Sequence, residues 1–557
     1  MIKQLFLSLL LTLGISSGCS KSTPEHPFES FLNSFIPQVA DKAKQLNKAF
    51  WLLETTGSSD AADLVASIST ELSLLFNDAK TYQKLLNWEK DPSLTDLLLK
   101  RQLQTLIYSF KEKAIPENLL KEIAQKEAAL GYAYANFRAT LNGKTVSEND
   151  LLDVLKKETL PLKRQEAWEA SKEIGMLLSP KISELVKLRN EAAKSLGYSN
   201  YFQMQLDLQE VDEKKLFQLL EQIASRSDLA YQKALKYIEE VQSKQFATPI
   251  NKLGPWAWSD PFSQEDPLNR LELDSLLTHT DLIEASRLFY QNMGIDVSPI
   301  LKASDLFERT GKNQHAFCIN MDRESDIRTL NNVKPTLKWF ETVLHELGHA
   351  IYELGYDKKL PWQLRVPPHM ITTEAMALMA GRRAYLPSSL SQLSTYSNSQ
   401  DELIQKAEEG LQRRQLIFSR WVLVMTYFER ELYQNPDQDL NKLWWELVVN
   451  YQKINPPQNR ENKNDWASKY HIGLAPVYYY SYLLGEVFAS AMEESIFQLT
   501  GSKDLDSEAA GRYLQEKLFF PGNSMNWAAL IEHVLGKPLT ADAWISQFAN
   551  KSQSLDL

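Results

Sequence analysis

Thr336-Leu337-Lys338-Trp339-Phe340-Glu341-Thr342-Val343-Leu344-His345-Glu346-Leu347-Gly348-His349-Ala350-Ile351 carries the reading of the whole chain, together with Glu374, 25 residues past His349. Leu337, Phe340, Val343, Leu344, Leu347 and Ile351 recur at helical spacing, so the segment reads as a helix with one buried face. Pro335 suits its first turn and Gly355 its end. Residues four apart share a helix face, so His345 and His349 point two imidazoles at one ion. Glu346 falls on the adjacent edge, placed to take a proton from an attacking water. Glu374 lies in the apolar run Thr372-Thr373-Glu374-Ala375-Met376-Ala377-Leu378, where a carboxylate needs a partner such as a metal. Two histidines and one glutamate leave a fourth zinc position open, the catalytic rather than the structural pattern.

Working outward, composition sets bounds. The chain has 557 residues, 43% of them hydrophobic and 10% aromatic, ample for a large core. A formal charge of −10 argues against nucleic acid as the main partner. There are two cysteines, Cys19 and Cys318. Residues 1–18 read as an export signal: Lys3 gives a positive start, and Leu5 to Ile15 is an apolar run too short to span a bilayer. Ser16-Ser17-Gly18-Cys19 resembles a bacterial lipoprotein cleavage site, with Ser16 where leucine is usual. Residues 19–28 form a polar tether, and residues 29–557 are expected to be a single α-helical domain in two subdomains. The expected location is the periplasm or cell envelope, with Cys19 as a lipid anchor to the outer membrane. The expected oligomeric state is a monomer.

Residues 28–243 read as helical throughout, with apolar residues three and four apart. Lys244 to Asp266 reads as an aromatic loop, either packed on the surface or rimming a cleft. His315-Ala316-Phe317-Cys318-Ile319 and Ile327-Arg328-Thr329-Leu330 are the strand candidates, pairing across Asp322 to Asp326. Leu403 to Leu432 and Asp439 to Gln452 read as long amphipathic helices. Lys469 to Tyr482 places a lysine, a histidine and five tyrosines in one short segment, which is able to supply donors for the oxyanion of a hydrolase.

Taken in order, these motifs resemble the angiotensin-converting enzyme (peptidyl-dipeptidase A) family of zinc peptidases. His345-Glu346-Leu347-Gly348-His349 with Glu374 is similar to its metal site, and Gln314-His315-Ala316 to the strand along bound substrate. Trp444-Trp445, Tyr451-Gln452, Ile454, Pro456-Pro457 and Arg460, leading into Lys469-Tyr470-His471-Ile472, resemble the run into its catalytic histidine. The resemblance implies a mainly α fold: a two-lobed helical bowl with a deep channel and a small β hairpin beside the zinc helix. It implies one Zn²⁺ held by His345, His349 and Glu374, with Glu346 as general base. His471 and Tyr482 would stabilise the oxyanion, with Tyr480 as the rival tyrosine. Lys469 and Tyr479 would grip the free carboxylate of a peptide substrate, and His315 and the backbone of Ala316 its main chain. The implied activity is that of a peptidyl-dipeptidase-like carboxypeptidase. A broader oligopeptidase and a non-catalytic peptide-binding lipoprotein are the alternatives. Three departures stand out. Val448 and Ser481 occupy the positions of the family's chloride-binding arginines, so chloride is not expected. The glutamine that helps grip the carboxylate is expected near Trp256 to Trp258, where there is none. An aspartate that orients a zinc histidine is missing at Leu378, so another acceptor must hold that imidazole.

Overall fold

A computed structural model describes residues 26–268, 271–390, 401–501 and 505–550. The export signal, Cys19 and most of the tether lie outside these residues. The fold is mainly α; all strands among the described residues belong to two antiparallel hairpins. No described helix is long and apolar enough to cross a membrane.

The N-terminal helices Pro27–Thr56, Ala79–Glu89 and Leu97–Lys113 close a small core of their own around Phe28, Phe35, Leu85, Leu103 and Phe110. The long helices Pro161–Ser195, Glu213–Gln245 and Asp401–Gln434 build the larger core with the helices that carry the motifs. Three of these matter most: the histidine helix Leu337–Leu354, the glutamate helix Met370–Arg382 and the tyrosine helix Tyr480–Thr500.

The histidine helix starts two residues later than Pro335 in its first turn would require. Thr336 is the N-cap, its hydroxyl accepting from the Trp339 N–H at 3.3 Å, and Pro335 lies outside. Gly355 does follow its last turn, but with φ −84°. The glycine is needed there because a Cβ would stand 2.6 Å from the Phe519 ring.

The glutamate helix packs between the other two. Its contact with the histidine helix is close because Gly348 has no side chain: a Cβ there would lie 2.8 Å from the Ala377 Cα. Residue 348 therefore lets two backbones approach, which brings Glu374 level with the histidines.

Residues 28–243 are not helical throughout. Ala139–Leu141 and Lys144–Val146 form a hairpin, with Asn142 at φ 54° and Gly143 at φ 73°. Asn-Gly supplies the two positive φ angles of a type I′ turn. Strands of three residues are too short to show an alternating pattern. The second hairpin is the expected one: Phe317–Asn320 pairs with Ile327–Leu330, Cys318 opposite Thr329. The strand begins at Phe317, so His315 and Ala316 precede it. Asn320 Nδ2 donates to Glu353 Oε2 at 3.0 Å, fixing this hairpin to the histidine helix.

The aromatic loop is packed. Trp256 and Trp258 are buried, and the Arg164 guanidinium donates to the carbonyls of Trp256 at 2.8 Å, Ala257 at 3.2 Å and Trp258 at 2.9 Å. Its far end, past Phe262, turns toward Lys469.

Candidate metal and peptide site

One potential ligand atom from each of His345, His349 and Glu374 lies within 4.8 Å of the others. His345 Nε2 stands 3.8 Å from Glu374 Oε2, and the two imidazoles sit 4.8 Å apart at 85°. Burial holds the histidines neutral, His345 down to about 4 and His349 well below its usual range, leaving nitrogen lone pairs available. Burial pushes the Glu346 carboxyl up to about 8, with the charge of Glu374 adding to it. Glu374 rises to about 7, through burial and the nearby Glu486. Two repelling, desolvated carboxyls beside two neutral imidazoles form a site that lacks a positive charge. The donor set fits a zinc ion with one open position.

One of the two imidazoles has a side-chain partner in Thr373. His349 Nδ1 lies 2.7 Å from Thr373 Oγ1. With Nε2 turned to the metal site, Nδ1 carries the proton and donates to the hydroxyl, fixing tautomer and ring orientation. The next turn of the same face holds Glu341, which Arg414 binds at 2.7 Å and the Tyr385 hydroxyl at 2.8 Å. Burial pushes the Glu341 carboxyl up, but Arg414 outweighs it and the group ends at about 2.

The tyrosines separate by role. Tyr478 Oη lies 3.5 Å from Glu374 Oε1, and its ring meets Tyr482 edge-on at 5.2 Å. The Tyr482 hydroxyl bonds to Tyr478 and, through burial and the charge of Glu374, is raised to about 12, so it stays protonated as a donor. Tyr480 turns away: its hydroxyl donates to Gln209 Oε1 at 2.8 Å and lies 3.3 Å from His369 Nε2.

The group around Lys469 has one more polar member than the sequence shows. Lys469 Nζ donates to Gln264 Oε1 at 3.1 Å, and Tyr479 Oη is 3.4 Å from the same oxygen. A glutamine does reach this lysine, six residues beyond Trp258, delivered by the turn after Phe262. Trp421 Nε1 donates to Tyr479 Oη at 2.8 Å, and the Lys469 ammonium sits 5.1 Å from the Trp421 and Phe262 ring centres. Burial lowers Lys469 to about 8, partly offset by Asp260. His471 packs its ring 4.9 Å from Tyr479. Burial and Lys469 lower it to about 4, and its Nδ1 is buried without a hydrogen-bond partner.

His315 is exposed in the bend before its strand, its N–H donating to Asn313 Oδ1 at 2.8 Å, and Ala316 is half-buried. Neither is drawn into the metal cluster. Within the strand that follows, Cys318 lies against the histidine helix; its thiol is pushed well up by burial, Glu353 and Glu346. Val448 and Ser481 are both buried, at 5% and 0% exposure, where neither offers a cation.

Sequence reading missed Thr373, Tyr478 and Gln264. A hydroxyl beside the ligand glutamate was the available signal for Thr373. Tyr478 was one of four tyrosines with no register to single it out. For Gln264 there was none, since its approach depends on the path of a loop.

A family model described as Peptidase_M2, angiotensin-converting enzyme, matches residues 22–555. The chain is 22% identical over 490 residues to the angiotensin-converting enzyme-like protein Ace3 of Mus musculus, covering 81% of this chain and 66% of that one. It is 24% identical over 570 residues to the angiotensin-converting enzyme of Mesocricetus auratus, covering 94% and 42%. Against the angiotensin-converting enzyme of Theromyzon tessulatum it is 21% identical over 581 residues, covering 95% and 92%. The chain thus spans less than two thirds of the first two relatives and nearly all of the third. With a match over nearly its whole length and a His-His-Glu cluster drawn together by two packed helices, this chain belongs to the angiotensin-converting enzyme family of peptidases, family M2.

Proposed function

We propose that the chain is a zinc-dependent peptidase that cleaves short peptides from the free C-terminus, as a peptidyl-dipeptidase-like carboxypeptidase. The observation that carries this reading is the pairing of two sites. A His345–His349–Glu374 cluster carries a base beside it, and a buried Lys469 has a neutral glutamine and a tyrosine as its polar partners. A buried ammonium so placed is matched by a ligand carboxylate.

His345, His349 and Glu374 would hold the ion, whose contribution when bound is Lewis acidity toward the scissile carbonyl and the attacking water. Glu346 takes the proton of that water and passes it to the leaving amine. Tyr482, protonated and backed by Tyr478, donates to the developing oxyanion, and His471 supports it. Lys469, Gln264 and Tyr479 fix the substrate carboxylate, which sets how many residues leave. His315 and the Ala316 backbone hold the peptide main chain from the edge of the hairpin. Activity is independent of chloride, because Val448 and Ser481 hold no anion.

Purified protein is incubated with peptides bearing free and amidated C-termini, with and without a chelator, and products are identified by mass spectrometry. Dipeptides from free-ended peptides, lost on chelation and reduced by at least about 10²-fold in Glu346→Gln, are expected. Full activity of Glu346→Gln would overturn the assignment. Internal fragments with equal cleavage of amidated peptides would favour a broad oligopeptidase; a protein that binds peptides without cutting them would be the non-catalytic alternative.

Delivery to the cell envelope through a lipid on Cys19, as a monomer, is part of the same proposal. Incorporation of labelled fatty acid that disappears in Cys19→Ser tests the anchor, and light scattering tests the monomer.

A further inference from the structure

Tyr480, the tyrosine that faces away from the metal site, lies at the centre of a polar chain through the core. The Ile371 N–H donates to His369 Nδ1 at 3.0 Å. The imidazole is neutral, so its proton is on Nε2, which lies 3.3 Å from Tyr480 Oη. The Tyr480 hydroxyl donates onward to Gln209 Oε1 at 2.8 Å, and Gln209 Nε2 donates to the Val477 carbonyl at 3.3 Å. The Val477 N–H donates to Glu429 Oε1 at 2.9 Å. Every bond runs in one direction: His369, Tyr480 and Gln209 each use a donor and an acceptor, and Glu429 accepts at the end. His369, Tyr480 and Glu429 are buried, at 8%, 1% and 2% exposure.

The two ends of this chain matter. His369 is the N-cap of the glutamate helix, five residues before the metal ligand Glu374. Val477 immediately precedes the tyrosine run and has φ 55°, a left-handed backbone that a β-branched residue adopts only under constraint. Gln209 and Glu429 hold both backbone groups of that residue, and this conformation sets the direction in which Tyr478, Tyr479 and Tyr482 leave it.

We propose that the His369–Tyr480–Gln209–Val477–Glu429 chain registers the tyrosine segment against the metal-ligand helix, with His369, Tyr480, Gln209 and Glu429 as positioning residues for the oxyanion and carboxylate groups. Because its two ends are tied to the helix of Glu374 and to the segment of Tyr479 and Tyr482, it fixes the distance between bond cleavage and carboxylate recognition. This rests on the peptidase reading above.

The test separates capping from registration. Asparagine is a good N-cap but too short to reach Tyr480, so His369→Asn keeps the helix start and breaks the chain. Tyr480→Phe breaks it at the centre while keeping the ring. Both variants are expected to retain one zinc per chain and a near-native melting temperature. Each is expected to lose kcat, by up to about 100-fold for a displacement near 1 Å, and to lose preference for free over amidated C-termini. The double variant should lose no more than either single one, since both break the same chain. Wild-type kcat and preference in both variants, or losses that add in the double variant, overturn the proposal. A readout independent of activity is the side-chain ¹⁵N spectrum of the chain's 8 histidines, in which the resonances absent from His369→Asn belong to His369. The expected state is neutral with the proton on Nε2, its exchange with water accelerated in Tyr480→Phe. A proton on Nδ1, or a charged ring, overturns the chain as drawn. If the wild type shows no chelator-sensitive cleavage, the peptidase reading fails while the tautomer result still decides the chain.

Discussion

At the level of single residues, the site is made by groups whose neighbours fix their protonation. Thr373 is the clearest case. Its hydroxyl lies 2.7 Å from Nδ1 of His349, an imidazole of the His-His-Glu cluster. Thr373→Val keeps the shape and removes the acceptor; the expected result is a loss of about 10- to 100-fold in zinc affinity, measured by competition with a chelator, with Thr373→Ser restoring it. Lys469 gives a pH prediction. Burial lowers it to about 8, so it is charged below that value and neutral above it. For peptides with a free carboxylate, kcat/KM, which reports the free enzyme, should fall as pH rises through about 8. Amidated peptides should not share that fall, and Lys469→Met should abolish the difference.

At the level of elements, the glutamate helix is positioned by what its neighbours lack. Gly348 leaves room for Ala377, where a Cβ would stand 2.8 Å from the backbone. Alanine is the better helix former by about 1 kcal/mol, yet the atom it meets is main chain and unable to turn aside. We expect the clash to win: Gly348→Ala lowers stability by about 1–3 kcal/mol and weakens zinc binding, read by thermal melting and metal titration. The same level explains the partial legibility of the hairpins. The Phe317–Asn320 pair was readable from its apolar run and turn residues. The Ala139–Val146 hairpin carried an Asn-Gly signal, but strands of three residues were hidden among long helical patterns.

At the level of the whole molecule, the metal site draws on segments remote in sequence. Three helices and the residues leading into the last of them supply the cluster and its tyrosines, and a loop that packs against Arg164 supplies Gln264. An ion bound only by the folded chain stabilises it by mass action, about 4 kcal/mol at a thousand times its Kd. Chelation should therefore lower the melting temperature of the wild type, and added zinc should raise it. Glu374→Ala should show neither shift.

The sequence alone marked the helical character, the His345–His349–Glu374 cluster and the lysine–histidine–tyrosine segment. Those depend on spacing within one helix or on runs of residues, and such local geometry is written in the chain. Tertiary structure alone decided which tyrosine faces Glu374, which hydroxyl steadies His349 and which glutamine reaches Lys469. Each of those pairings joins side chains from different elements, and a shift of one residue in a turn, or the absence of one Cβ between two helices, reassigns the partner.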